Sequence, residues 1–112
     1  MVEKQWQFLK DLARLIIHAQ ANNLVLVGGE LYRTQEQQEI YVKQGKSKTM
    51  NSYHLKRLAI DLLIMENKDG RWVISNDREK YKILGEFWKS LDPKNVWGGD
   101  WGWDLNHFEK QI

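Results

Sequence analysis

The chain has 112 residues, no cysteine, and 17 basic against 15 acidic residues, for a formal net charge of +2. That length fits one domain with a core of its own, and the missing thiols exclude disulfides and sulfur-ligated metal sites, so any metal must be held by nitrogen and oxygen. The near balance of charge leaves no footprint for a nucleic-acid partner.

In chain order, residues 3–21 read as a helix. Trp6, Leu9, Ala13, Ile16 and Ile17 recur at three- and four-residue steps, with Lys4, Lys10, Asp11 and Arg14 largely on the other side. On this reading Trp6 belongs to the core. Leu24 to Val27 is a short apolar run closed by Gly28-Gly29, read as a strand. Thr34 is an N-cap with Gln37 three residues on, and the helix it opens runs from Gln35 to about Gln44, ending at Gly45. Residues 45–52 form a polar loop. Leu58 to Met65 reads as a buried strand, Asn67 to Gly70 as a turn, and Arg71 to Ile74 as the returning strand. Asp77 caps a helix from Arg78 to Leu91, with Tyr81, Leu84 and Trp88 at helical spacing. Trp97 to Trp103 reads as a glycine-rich loop, and His107 to Glu109 as part of a last short strand. The order implies a single α+β domain over 1–112, a small antiparallel sheet flanked by about three helices. The longest apolar runs, such as Leu62 to Met65, are far too short to cross a membrane, and no secretory leader opens the chain.

Three residues carry metal-ligand chemistry. Asp61 is the one charge inside an apolar strand, which is costly without a partner. Taken alone it is satisfied either by an ion pair with Arg57 or Arg33 or by a metal. His54 and His107 each border short apolar segments. Two imidazoles and one carboxylate can hold zinc and leave a fourth position open for water. Asp104, three residues before His107, is placed to take a proton from that water. His54 and Asp61 lie seven apart, so the chain must bend between them, with Leu55 to Leu58 as the turn. His18 reads as a partly buried or surface histidine. Gly45-Lys46-Ser47 is not a phosphate loop, because the first glycine of GxxxxGK[ST] would fall on Ile40. Lys43, Lys46 and Lys48 form the densest basic patch, either a solvated loop or an attraction to an anionic polymer such as a cell wall. Trp88 reads as core, and Trp101 and Trp103 as cleft or rim.

The stretch Ser52-Tyr53-His54-Leu55-Lys56-Arg57-Leu58-Ala59-Ile60-Asp61 resembles the motif S-x-H-x-x-G-x-A-x-D of the zinc peptidases of peptidoglycan. That family includes D-alanyl-D-alanine carboxypeptidases and dipeptidases, and the L-alanyl-D-glutamate endopeptidases of phage endolysins. Asp104 to His107 matches its D-x-x-H element, and Leu31-Tyr32-Arg33-Thr34 with Glu36-Gln37 is similar to its G-Y-R-T-x-x-E/Q region. Arg57 departs from the pattern, standing where the family most often has glycine. The resemblance implies zinc held by His54, Asp61 and His107, and Asp104 as general base and then acid. It implies Arg33 at the oxyanion or substrate carbonyl, and Ser52 and Trp101 at the substrate. Asp100 and Glu109 stay open between supporting a ligand imidazole and lying at the surface.

The resemblance further implies a peptidoglycan hydrolase acting on the stem peptide, and one small domain with no coiled-coil pattern reads as a monomer. The endolysin branch is favoured by the short chain, the loop from Gly45 to Thr49 and the Gly98 to Trp101 stretch. Such an enzyme waits in the host cytoplasm until it is released to the wall, with no stable membrane insertion. Two alternatives are the carboxypeptidase or dipeptidase branch, and a zinc-containing wall-binding module without turnover. An iron oxygenase ranks last, because the usual His-x-Asp spacing is absent.

Overall fold

A computed structural model describes residues 1–112. Three helices, α1 (Val2–Ala21), α2 (Gln35–Lys43) and α3 (Arg78–Leu91), accompany five strands. These are β1 (Val25–Gly28), β2 (Ala59–Lys68), β3 (Arg71–Ile74), β4 (Asn95–Trp97) and β5 (His107–Lys110). The sheet is antiparallel in the order β1-β2-β5-β4, and β3 pairs with the far end of β2. The expected α+β architecture is what the chain adopts.

Local chemistry sets the boundaries. The backbone N–H of Gln37 donates to Thr34 Oγ1 at 3.1 Å, and that of Glu79 donates to Asp77 Oδ1 at 3.0 Å, so both expected caps fix helix starts. Asp69 and Gly70 both have positive φ, which makes the tight two-residue turn joining β2 to β3. That hairpin lets β2 run on to Lys68, three residues beyond the expected end at Met65.

The core lies between the sheet and helices α1 and α3. Trp88 of α3 meets Phe8 of α1 edge-on at 5.5 Å and Phe108 of β5 at 6.3 Å. Leu12, Leu15, Ile60, Leu62, Ile64, Leu84 and Trp97 pack with them. Each of these large side chains contributes roughly 1.5–3 kcal/mol on burial.

Two expectations need correction. Helix α1 buries Phe8, Asp11, Leu12, Leu15 and Ala19, not the stripe of Trp6, Leu9, Ala13, Ile16 and Ile17. Trp6 is 59% exposed and is not core. The helix has two apolar stripes, and the buried one includes Asp11 because Lys110 Nζ meets its carboxylate at 3.0 Å. Second, Trp97 to Trp103 is not simply a loop. Trp97 ends strand β4, is buried, and donates from its indole to the Leu105 carbonyl at 2.7 Å, while Gly98–Trp101 forms a 3-10 turn. The glycine content there serves close packing: a Cβ on Gly98 would overlap the Asp104 carbonyl and lie 2.9 Å from the Cβ of both Asp104 and His107.

Candidate metal centre

Strand register builds the first half of the site. Asp61 and His107 are directly paired across β2 and β5, so their side chains share a face, opposite the one that packs on the helices. His54 comes from a 3-10 turn, Tyr53–Lys56, whose start is capped by Ser52: the His54 N–H donates to Ser52 Oγ at 3.2 Å. Arg57 ends that turn in the left-handed region, at φ 57° and ψ 35°, and lays its guanidinium over the Tyr32 ring at 4.0 Å. The special backbone angle that favours glycine is therefore present, and arginine adopts it.

The three side chains converge. One ligand atom from each of His54, Asp61 and His107 lies within 4.8 Å of the others. Asp61 Oδ1 is 3.4 Å from His54 Nε2 and 3.7 Å from His107 Nδ1. Ligands bound at the usual zinc distances around a tetrahedral centre lie about 3.3 Å apart, so a small contraction would close the set. Asp61 makes neither of the ion pairs open to it in sequence. Arg33 is bound to Glu30, and Arg57 stacks on Tyr32.

The rings are oriented from behind. His54 Nδ1 lies 3.0 Å from the Leu31 carbonyl, which only accepts, so that nitrogen carries the proton and Nε2 presents its lone pair. His107 is held the other way: Nε2 donates to Glu109 Oε1 at 2.7 Å, leaving Nδ1 toward Asp61. Glu109 is buried and supports the His107 ring, whereas Asp100 is half-exposed and paired with Lys89 at 2.8 Å. Those two open assignments thus separate. The fit for a divalent ion rests on this donor set, two neutral-capable imidazoles and one carboxylate with their outer atoms already engaged.

Asp104 Oδ2 stands 3.9 Å from His107 Nδ1, beside the three converging groups. Its carboxyl is raised above the ordinary range. Burial is the main cause and the charge of Asp61 adds to it, against the opposite pull of His107, His54 and Arg33. A carboxylate raised in this way is a better proton acceptor.

These groups line a cavity of about 550 Å³ together with Arg33, Ser52, Trp101, Trp103 and Lys48. Arg33 is held firmly, with Nε donating to Glu30 at 2.8 Å, a terminal nitrogen donating to Gln38 at 2.7 Å, and its plane lying over Tyr41 at 4.7 Å. The same terminal nitrogen reaches Ser52 Oγ at 3.5 Å. Ser52 is therefore shared between capping the histidine turn and the cavity wall. Trp101 lies 5.2 Å from the His107 ring and 6.1 Å from Trp103. His18 is remote from the site, stacked on Phe87 at 4.0 Å.

Sequence reasoning missed Glu30, Gln38 and Tyr41. Glu30 binds both Arg33 and the Tyr41 hydroxyl, the latter at 2.7 Å, and Gln38 is fully buried. The three-residue step from Glu30 to Arg33 was the one available signal for the first; nothing local marks the other two.

Residues 45–110 match the family described as D-alanyl-D-alanine carboxypeptidase, more than half of the chain. The chain belongs to that family. Within reach of this carboxypeptidase family, it is 34% identical over 88 residues to the L-alanyl-D-glutamate peptidase of Listeria phage A118, covering 79% of this chain. The match spans only 30% of that phage protein. The fold is also similar to the crystal structure of the L-Ala D-Glu endopeptidase ChiX of Serratia marcescens. The TM-score is 0.69 at 26% identity, over 91% of this chain and 79% of that one.

Proposed function

We propose that the chain is a zinc-dependent peptidase that hydrolyses the L-alanyl-D-glutamate bond of peptidoglycan stem peptides. The observation that carries this is the convergence of His54, Asp61 and His107 beside a half-buried, raised Asp104 in an open cavity. Both named relatives act on that bond, which favours it over the terminal D-alanine bond of the family description.

His54, Asp61 and His107 would hold the ion. When bound, zinc supplies Lewis acidity, making a water more acidic and a carbonyl more electrophilic. Asp104 accepts the proton from the attacking water and later returns it to the leaving amine. Arg33, fixed by Glu30 and Gln38, balances the negative charge that grows on the carbonyl oxygen, at little reorganisation cost. Ser52 and the exposed rings of Trp101 and Trp103 hold the peptide against the cavity wall. A wall-binding module has no use for a carboxylate beside the open position, so Asp104 speaks against that reading. We further place the enzyme's action at the cell wall, as a monomer; no helix is long and apolar enough to cross a membrane.

The test is digestion of purified peptidoglycan with zinc, with and without a chelator, read by mass spectrometry. New amino-terminal D-glutamate that disappears with chelator is the expected result. Release of terminal D-alanine would move the chain to the carboxypeptidase activity. Zinc binding with no cleavage of several wall types would overturn the enzyme reading.

A further inference from the structure

Part of the positive charge along the cavity has no carboxylate partner. Arg33 is paired with Glu30, and Glu109 is engaged by the His107 ring. Asp61 belongs to the ligand set. Lys46 and Lys48 also line the cavity. The ammonium groups of Lys68, Lys80, Lys89 and Lys110 each meet a carboxylate, but those of Lys46 and Lys48 meet none.

These two lysines are not on a free loop. The fully buried Gln38 donates from its amide to Ser47 Oγ at 2.8 Å and to the Thr49 carbonyl, while its oxygen holds Arg33. One side chain thus ties the lysine-bearing loop and the arginine of the site into a single frame. Ser47 and Thr49 provide the anchors, and Lys46 and Lys48 alternate with them. Each ammonium rests on an aromatic ring: Lys46 at 6.0 Å from Tyr41 and Lys48 at 4.8 Å from Trp103. Tyr41 is itself fixed by Glu30. From His107 the wall runs through Trp101 and Trp103 to Lys48 in steps of 5.2, 6.1 and 4.8 Å. The residue beside the cut bond sits in this same cavity, so a free carboxyl on it faces the wall that Lys46 and Lys48 line.

The chemistry of the bond names that charge. Glutamate on the amine side of the cut has two carboxyl groups, and a peptide chain continues through only one. The other is a free carboxylate or is capped as an amide. We propose that Lys46 and Lys48 form a subsite for this free carboxylate, so that the chain separates acidic stem peptides from amidated ones. The inference rests on the L-alanyl-D-glutamate reading above.

Two synthetic stem peptides, identical except for carboxylate or carboxamide at that glutamate, test it. Binding is read by tryptophan fluorescence in the zinc-loaded Asp104→Asn protein, and turnover in the protein with Asp104 intact. The acid is expected to bind about tenfold or more tighter than the amide, with the same preference in KM, as for a charge-assisted contact. Lys46→Met with Lys48→Met should bring the ratio near one, and raised salt should compress it. Equal binding of the two peptides, or a preference that survives the double substitution, overturns the subsite. An acid preference in binding with no cleavage of either peptide supports the subsite and overturns the peptidase reading instead.

Discussion

Glu109 grips His107 through a 2.7 Å hydrogen bond to Nε2, on the side of the ring away from Asp61. Both residues lie on β5 two positions apart, so they share a face, and the strand itself supplies the pairing. Glu109→Ala would free the ring to rotate and let the wrong nitrogen carry the proton. Zinc affinity is expected to fall about 10–100-fold. Glu109→Gln keeps an acceptor oxygen and should recover part of the loss. Competition with a chromophoric chelator measures both; an alanine variant that binds as tightly as the parent would remove Glu109 from this role.

Asp104→Asn is expected to leave zinc bound and to lower kcat by about 10²–10⁴, the usual contribution of a positioned base. Metal content by mass spectrometry and turnover of a stem peptide decide it. Undiminished turnover would mean that another group takes the proton.

In the chelated protein, His107 is raised to about 9: burial lowers it, but hydrogen bonds with Asp61 and Glu109 outweigh burial. Asp61 is lowered to about 2, because the two imidazoles overcome the opposite effect of its burial. A raised histidine stabilises the fold fully below its unfolded value of about 6.5 and loses that contribution as pH rises through about 9. The depressed carboxylate contributes above its unfolded value of about 3.8 and loses it as pH falls through about 2. The Tm of the chelated protein should therefore decline between about pH 6.5 and 9. Bound zinc would take the place of that proton, so the loaded protein should hold its Tm over that range. Scanning calorimetry of both forms across the window is the check, and a flat chelated curve would count against it.

Lys110 and Asp11 are both fully withdrawn from solvent and meet at 3.0 Å, with Asp92 3.3 Å from the same ammonium and Asn95 donating to Asp11 at 3.1 Å. Lys110→Met would leave buried Asp11 with only the exposed Arg14, 3.6 Å away, as counter-charge, at a cost of up to about 3–5 kcal/mol. Adding Asp11→Leu should restore much of that stability. Urea midpoints of the single and double variants give the comparison, and a single variant within error of the parent would refute it.

This same pair shows where the sequence stopped being legible. Two apolar stripes run along α1, and periodicity alone cannot say which one the fold covers. The answer depends on Lys110, at the other end of the chain, making Asp11 tolerable inside. The caps at Thr34 and Asp77 were readable because a cap is decided within three residues. The convergence of His54, Asp61 and His107 was approachable because β-strand and turn signals flank each residue, though their registration across β2 and β5 is a tertiary fact. Gln38 was invisible for the opposite reason. A glutamine on a polar helix gives no sign that it is the buried bracket between Arg33 and the loop after Gly45. Arg57 was flagged as an oddity, and its backbone angle explains the family's glycine.

The pairing of Asp61 with His107 has one more consequence. Side chains alternate along a strand, so a one-residue slip between β2 and β5 would turn either ligand to the opposite face. An ion that joins these two strands and the turn at His54 therefore acts as a check on correct assembly. It would also close the long stretch of chain between Asp61 and His107, much as a crosslink does, in a protein that has no cysteine with which to make one. The group that performs the chemistry would then also be the staple of the fold.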